Sequence, residues 1–96
     1  MNDTRNTTAD SSNAVVMYST GWCGFCDRAR ALLNRKGIAV KEIKVDENDA
    51  DRKTMLERSG GRRTVPQIFI GERHIGGYQE LAQLDRNGEL DRLLQG

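Results

Sequence analysis

The spacing of apolar positions changes several times along the chain, and each change marks an element. Ala14 to Ser19 (AVVMYS) is a continuous apolar run with β-branched and aromatic content, which predicts a buried strand. Thr20 to Gly24 carries two glycines and predicts a turn. From Phe25 to Lys36 the apolar residues Phe25, Cys26, Ala29, Leu32 and Leu33 recur at helical spacing. Asp27, Arg28, Arg30 and Arg35 fall mostly on the other side, where Arg28, Arg30 and Arg35 predict a solvated face. Gly37 stands where a helix-ending glycine belongs. Val40 to Val45 alternates apolar and charged residues, the pattern of a strand with one wet face. Asn48 or Asp49 can cap a second helix that runs to about Arg58 with Met55 and Leu56 inward, and Ser59-Gly60-Gly61 ends it. Gln67 to Ile70 predicts a third strand, Gly71-Glu72 a tight turn, and Arg73 to Ile75 a short fourth strand. After Gly76-Gly77, a helical stretch places Leu81, Leu84, Leu90, Leu93 and Leu94 inward, with Asn87-Gly88 interrupting it.

The resulting order is β-α-β-α-β-β-α. A strand–helix–strand start favours parallel pairing through a crossover, and the later pair reads as a hairpin. The fold class is therefore α/β, a four-stranded mixed sheet flanked by helices. Residues 1–13 are polar with almost nothing to bury, which predicts a disordered tail before one domain at 14–96. At 96 residues with 36% hydrophobic content, one core forms without disulfide staples. Fifteen basic and fourteen acidic residues leave a net charge of +1, which argues against nucleic acid or a charged membrane surface as partner. No signal peptide or spanning stretch stands out, so the expected location is the cytoplasm.

The two cysteines change the picture most. A structural zinc site takes four ligands, and Cys23, Cys26 and the lone His74 do not supply them, so no metal site is expected. Cys23 and Cys26 instead begin where a strand ends and a helix starts. Unpaired N–H groups and the positive end of the helix dipole favour an anion there, and the thiolate is the nucleophilic form of cysteine. Cys23 is thus the candidate attacking sulfur. Cys26, one turn further in on the same face, is the candidate resolving thiol. The competing reading is a pair of small core residues or incidental metal ligands. Thr64-Val65-Pro66 holds the chain's single proline, directly before a strand, and base rates favour a trans bond there. Trp22 suits either a docking surface beside the sulfur or packing on the turn, and His74 reads as a surface residue with no catalytic part.

Three motifs in this order resemble the glutaredoxin pattern: Cys23-Gly24-Phe25-Cys26, the stretch Thr64 to Ile70 (TVPQIFI), and Gly76 to Leu81 (GGYQEL). The resemblance covers Ala14 to Leu94 and implies a thioredoxin-like fold with Pro66 cis and facing the Cys23 sulfur. It further implies glutathione as co-substrate and reduction of glutathionylated proteins and small disulfides, with glutathione reductase acting indirectly. In that picture the Val65 backbone pairs with the glutathione peptide, while Gly77, Tyr78 and Gln79 receive its γ-glutamyl carboxylate. Glu80 takes the ammonium group, and Arg62 or Arg63 the glycine carboxylate. Phe25 and Tyr78 flank the sulfur, with Thr20 and Thr64 completing the set.

The chain departs from the family pattern at four places. Gly24 and Phe25 replace proline and tyrosine, and Thr20 replaces a lysine three residues before the first cysteine. Gln79 and Glu80 stand near the family's aspartate, Glu80 one methylene longer. Glycine after Cys23 is similar to glutaredoxins that hold a [2Fe–2S] cluster between two subunits, with Cys23 and glutathione thiolates as ligands. Cys23-Gly24-Phe25 also resembles the motif start of the monothiol branch, which ends in serine where this chain has Cys26. The alternative function is therefore a cluster-bridged dimer acting as carrier or sensor, against a monomeric enzyme. A third reading, from the W-C-G-x-C resemblance to thioredoxins, is a reductase driven by a flavoprotein.

Overall fold

A computed structural model of the chain describes residues 14–95, and the expected tail at 1–13 lies outside the described residues. The elements are β1 (Val15–Ser19), α1 (Gly24–Arg35), β2 (Val40–Lys44), α2 (Asp49–Arg58), β3 (Gln67–Ile70), β4 (Arg73–Gly76), α3 (Tyr78–Arg86) and α4 (Glu89–Gln95). The strands form one mixed sheet in the order β2-β1-β3-β4. β1 runs parallel to β2, with Val15 opposite Val40, and antiparallel to β3, with Val15 opposite Ile70. β3 and β4 form the expected hairpin, with Ile70 opposite Arg73 across Gly71-Glu72.

Side chains alternate across the sheet and feed two cores. Val15, Met17, Ile68 and Ile70 point to one face, where they meet Ala29, Leu32 and Leu33 of α1, Leu81 of α3 and Leu90 of α4. Tyr18 and Phe69 point to the other face and pack with Val45 and with Met55 of α2. The central strand β3 is buried on both faces, which is why Ile68 to Ile70 are consecutive apolar residues. β2 lies at an edge and keeps the alternation of a half-wet strand.

The helix ends follow local chemistry. Gly37, just past α1, takes φ +75°, a left-handed conformation that costs glycine nothing. The Asn48 side chain caps α2 by accepting from Asp51 N–H at 3.0 Å. Asn87-Gly88 divides the last helical stretch into α3 and α4, as the sequence suggested. Lys36 Nζ, 2.8 Å from Asp85 and 3.0 Å from Asp91, ties the end of α1 to both.

Arg30 does not lie on the solvated face expected of it. Its guanidinium reaches across to β2, with Nη2 2.6 Å from Glu42 Oε2 and Nη1 2.8 Å from Asp27. The fold brings these charges together because α1 packs back along β2, and Glu42 also accepts from the buried Ser19 hydroxyl. The Arg30 hydrogen bond holds the Glu42 carboxyl down to about 2, against some burial. A lowered folded-state value stabilises the protein above the unfolded carboxylate value of about 4.3, and that contribution is lost as pH falls toward 2. Glu42→Gln should therefore lower stability at neutral pH and flatten its decline between about pH 4.5 and 2. Urea denaturation at pH 7, 4 and 2 measures both; equal slopes for wild type and variant would dismiss the ion pair as a stabilising contact.

Candidate active site

The site forms where three segments meet at the C-terminal end of β1. Cys23 is the N-cap of α1, with extended φ/ψ of −148° and 103°. Its Sγ accepts the Cys26 N–H at 3.0 Å, and its carbonyl accepts the Asp27 N–H at 3.1 Å. Cys23 and Cys26 are joined as a disulfide with a Cα–Cα separation of 5.2 Å. Cys26 is fully buried against Ala29 and Leu33 in the α1-side core, whereas Cys23 is only partly covered. One sulfur can be approached from solvent and the other cannot.

The second segment is the loop before β3. Its Val65–Pro66 peptide bond is cis, as the resemblance implied and against the base-rate expectation. The Val65 carbonyl oxygen lies 3.7 Å from Cys23 Sγ, and Pro66 is buried. Gln67, a fully buried polar residue, anchors the loop: its Nε2 donates to Thr64 O at 3.0 Å and to Thr64 Oγ1 at 3.2 Å.

The third segment is the start of α3. Gly76 takes φ +117°, and a Cβ there would stand 3.0 Å from Glu80 Oε1, so only glycine fits comfortably beside that side chain. Glu80 turns back to accept the Gly77 N–H at 2.7 Å. That hydrogen bond, aided by Arg62, holds the Glu80 carboxyl below its ordinary value, so it is an anion at neutral pH.

Between the last two segments runs a groove of about 260 Å³. Phe25, Arg62, Thr64, Val65, Pro66, Gly77, Tyr78, Gln79 and Glu80 line it. Cys23 is not part of the lining, but its Sγ lies 3.7 Å from the carbonyl oxygen of Val65, which is. The structure thus gathers most of the residues the sequence singled out. Arg62 rather than Arg63 faces the groove, and Thr20 sits half-buried in the turn before Cys23, outside the lining.

The tertiary structure decides three further positions, and at His74 it corrects the expectation. Phe25 lies off the buried face of α1 that Cys26 occupies: it is 49% exposed and stacks on Tyr78 with ring centroids 6.2 Å apart. Of the two readings of Trp22, its 99% exposure is against packing on the turn and leaves the docking surface open. His74 is not a surface residue, because cross-strand pairing sets it opposite Phe69. Its ring is half-buried and stacks on Phe69 at 4.8 Å, with Nε2 2.7 Å from Gln67 Oε1. The support given by Gln67 and His74 is absent from the sequence reading. The signal for it was a glutamine at the head of an otherwise apolar strand.

A partly covered and a buried cysteine, paired at the N-terminus of the first helix of this sheet, define a thiol oxidoreductase of the thioredoxin-like fold. The glutaredoxin family model matches residues 15–75. A glutaredoxin of Pseudomonas aeruginosa is 49% identical over 80 residues, covering 83% of this chain and 94% of that protein. Glutaredoxin 3 of Escherichia coli K12 is 49% identical over 81 residues, covering 84% and 96%. A crystal structure of a buckwheat glutaredoxin–glutathione complex superposes with a TM-score of 0.78 at 32% identity, covering 95% of this chain and 86% of that one. The chain belongs to the glutaredoxin family.

Proposed function

We propose that the protein reduces protein–glutathione mixed disulfides and small disulfides with glutathione as reductant. The observation that carries this reading is a sulfur at a helix N-terminus, 3.7 Å from the Val65 carbonyl oxygen, beside a groove that Val65 and the start of α3 line. In the reduced protein the Cys26 N–H, now 3.0 Å from Cys23 Sγ, faces the thiolate and, together with the helix dipole, stabilises its negative charge. The Cys23 thiolate attacks the glutathione sulfur of a mixed disulfide, forming a Cys23–glutathione disulfide and expelling the substrate thiolate. A second glutathione thiolate then attacks that glutathione sulfur, returning the Cys23 thiolate and releasing glutathione disulfide. Alternatively Cys26 attacks the Cys23 sulfur, releasing glutathione and forming the Cys23–Cys26 disulfide.

The groove chemistry suits glutathione throughout. The Val65 backbone pairs with its peptide as an added strand would. First-turn N–H groups of α3 at Tyr78 and Gln79 have no acceptor within the helix and suit a carboxylate. Glu80 offers an anchored anion to the ammonium, and Arg62 a guanidinium to the glycine carboxylate. The setting we propose is the cytoplasm, where glutathione reductase recycles the product; no described helix is long and apolar enough to cross a membrane.

A resident iron–sulfur cluster does not fit one copy of the chain. Among the described residues no group of three or more His, Cys, Asp or Glu side chains is placed to hold a metal, and only Cys23 presents a partly open sulfur. The other ligands would have to come from a second copy and from free thiols. The test of the proposed function is turnover of a glutathionylated disulfide coupled to glutathione reductase. Glutathione-dependent turnover by wild type is expected, and its absence would remove this reading.

A further inference from the structure

We propose that His74 is a positioning residue for the Thr64-Val65-Pro66 loop, acting through Gln67; this rests on the glutathione reading above. The geometry leaves little freedom. Thr64 O is a pure acceptor, so the Gln67 amide must turn its nitrogen toward it, at 3.0 Å. That orientation sends the amide oxygen to His74 at 2.7 Å, and an oxygen can only accept, so His74 Nε2 carries a proton. Gln67 is fully buried, so water cannot take over either bond. The relay then continues along the chain to Val65, whose carbonyl oxygen lies 3.7 Å from Cys23 Sγ.

His74 is itself held from several sides. Its ring stacks on Phe69, and the Arg58 guanidinium of α2 sits 4.1 Å from that same ring. Burial is the chief reason the imidazole sits below its ordinary value; Arg62 and Arg58 act in the same direction and Glu80 against it. At neutral pH the ring is therefore neutral, with its one proton on Nε2. A neutral donor stacked on an aromatic ring aims the Gln67 amide without placing another cation beside the groove.

The consequence is specific. Loss of the Nε2 proton donor leaves Gln67 Oε1 buried without a partner and frees the amide to rotate, which loosens the wall that receives substrate but leaves the Cys26 N–H at the sulfur in place. His74→Phe keeps the stack on Phe69 and removes only the donor. We expect the KM for a glutathionylated substrate to rise about three- to tenfold, the worth of one neutral hydrogen bond, with kcat within about twofold. The rate of Cys23 alkylation in the reduced protein should not change. Gln67→Leu should give the same split, and the double variant should be no worse than the poorer single one. An unchanged KM in an active His74→Phe protein, or additive effects in the double variant, would overturn the proposal.

A second measurement needs neither turnover nor variant stability. In ¹⁵N NMR of the oxidised wild-type chain, His74 should show the Nε2–H tautomer; an Nδ1–H tautomer would overturn the relay. If wild type lacked glutathione-dependent turnover yet showed Nε2–H, and His74→Phe shifted the Thr64 and Val65 amides, the relay would stand and the glutathione reading would fall.

Discussion

Cys23→Ser should lose glutathione-dependent turnover by on the order of 10³-fold or more, while Cys26→Ser keeps most of it. The difference follows from where the two sulfurs sit. Cys23 is the partly open N-cap, with a helix N–H aimed at its Sγ; a serine hydroxyl there stays protonated at neutral pH and is no nucleophile for a disulfide. Cys26 has no exposed surface, so an external disulfide cannot reach it. Its chemical reach is confined to the Cys23 sulfur it is already bonded to. Removing it closes the internal-disulfide branch but leaves the branch in which a second glutathione attacks the adduct. Reduction of an unglutathionylated protein disulfide, which needs both thiols, should fall sharply in Cys26→Ser. Because a hydroxyl in that buried position carries its own desolvation cost, Cys26→Ala should be assayed beside it. The decisive comparison is initial rates on a glutathionylated peptide and on a protein disulfide for all three variants. Turnover surviving in Cys23→Ser would remove Cys23 as nucleophile; turnover lost in both Cys26 variants would make the dithiol branch obligatory.

The largest expected effect on stability lies on the opposite face of the sheet. Phe69→Ala should cost about 3–5 kcal/mol, the range for emptying a buried aromatic site. Phe69 is 1% exposed and central to the smaller core, packing edge-on against Tyr18 at 5.8 Å and lying under both His74 and Arg58. That core has few members, and Met55 is the one fully buried side chain of α2, so little remains to collapse into the gap. With roughly 4–8 °C of melting temperature per kcal/mol in a domain of this size, the midpoint should fall by at least about 12 °C. Leu56→Ala, half-buried on the same side, should cost distinctly less. Circular dichroism melts of the three proteins measure this directly. A drop of only a few degrees for Phe69→Ala would show that α2 settles onto the sheet without the ring.

Much of this arrangement could be read along the chain. The period of two in Val40 to Val45, the helical period from Phe25 onward and the glycine pairs set the element order almost to the residue. The chemistry was equally local: two cysteines three apart, at a strand-to-helix junction, place one sulfur at a helix N-terminus and the other a turn inside. Even the later glycines and Glu80 form a self-contained turn, since Glu80 bonds the Gly77 N–H three residues back.

What tertiary structure alone decided concerns side chains whose partners lie far along the sequence. Phe25 fits a helical apolar stripe, yet it stays 49% exposed and meets its aromatic partner Tyr78 on another helix, fifty-three residues on. Arg30 meets Glu42 only because α1 is folded back along β2, twelve residues on. His74 and Gln67 are seven residues apart, joined by hairpin register. Periodicity reports which face a residue takes on its own element, because that depends on local backbone geometry. It carries no information about what another element presents to that face, and here that decides which polar groups are aimed at the reactive sulfur.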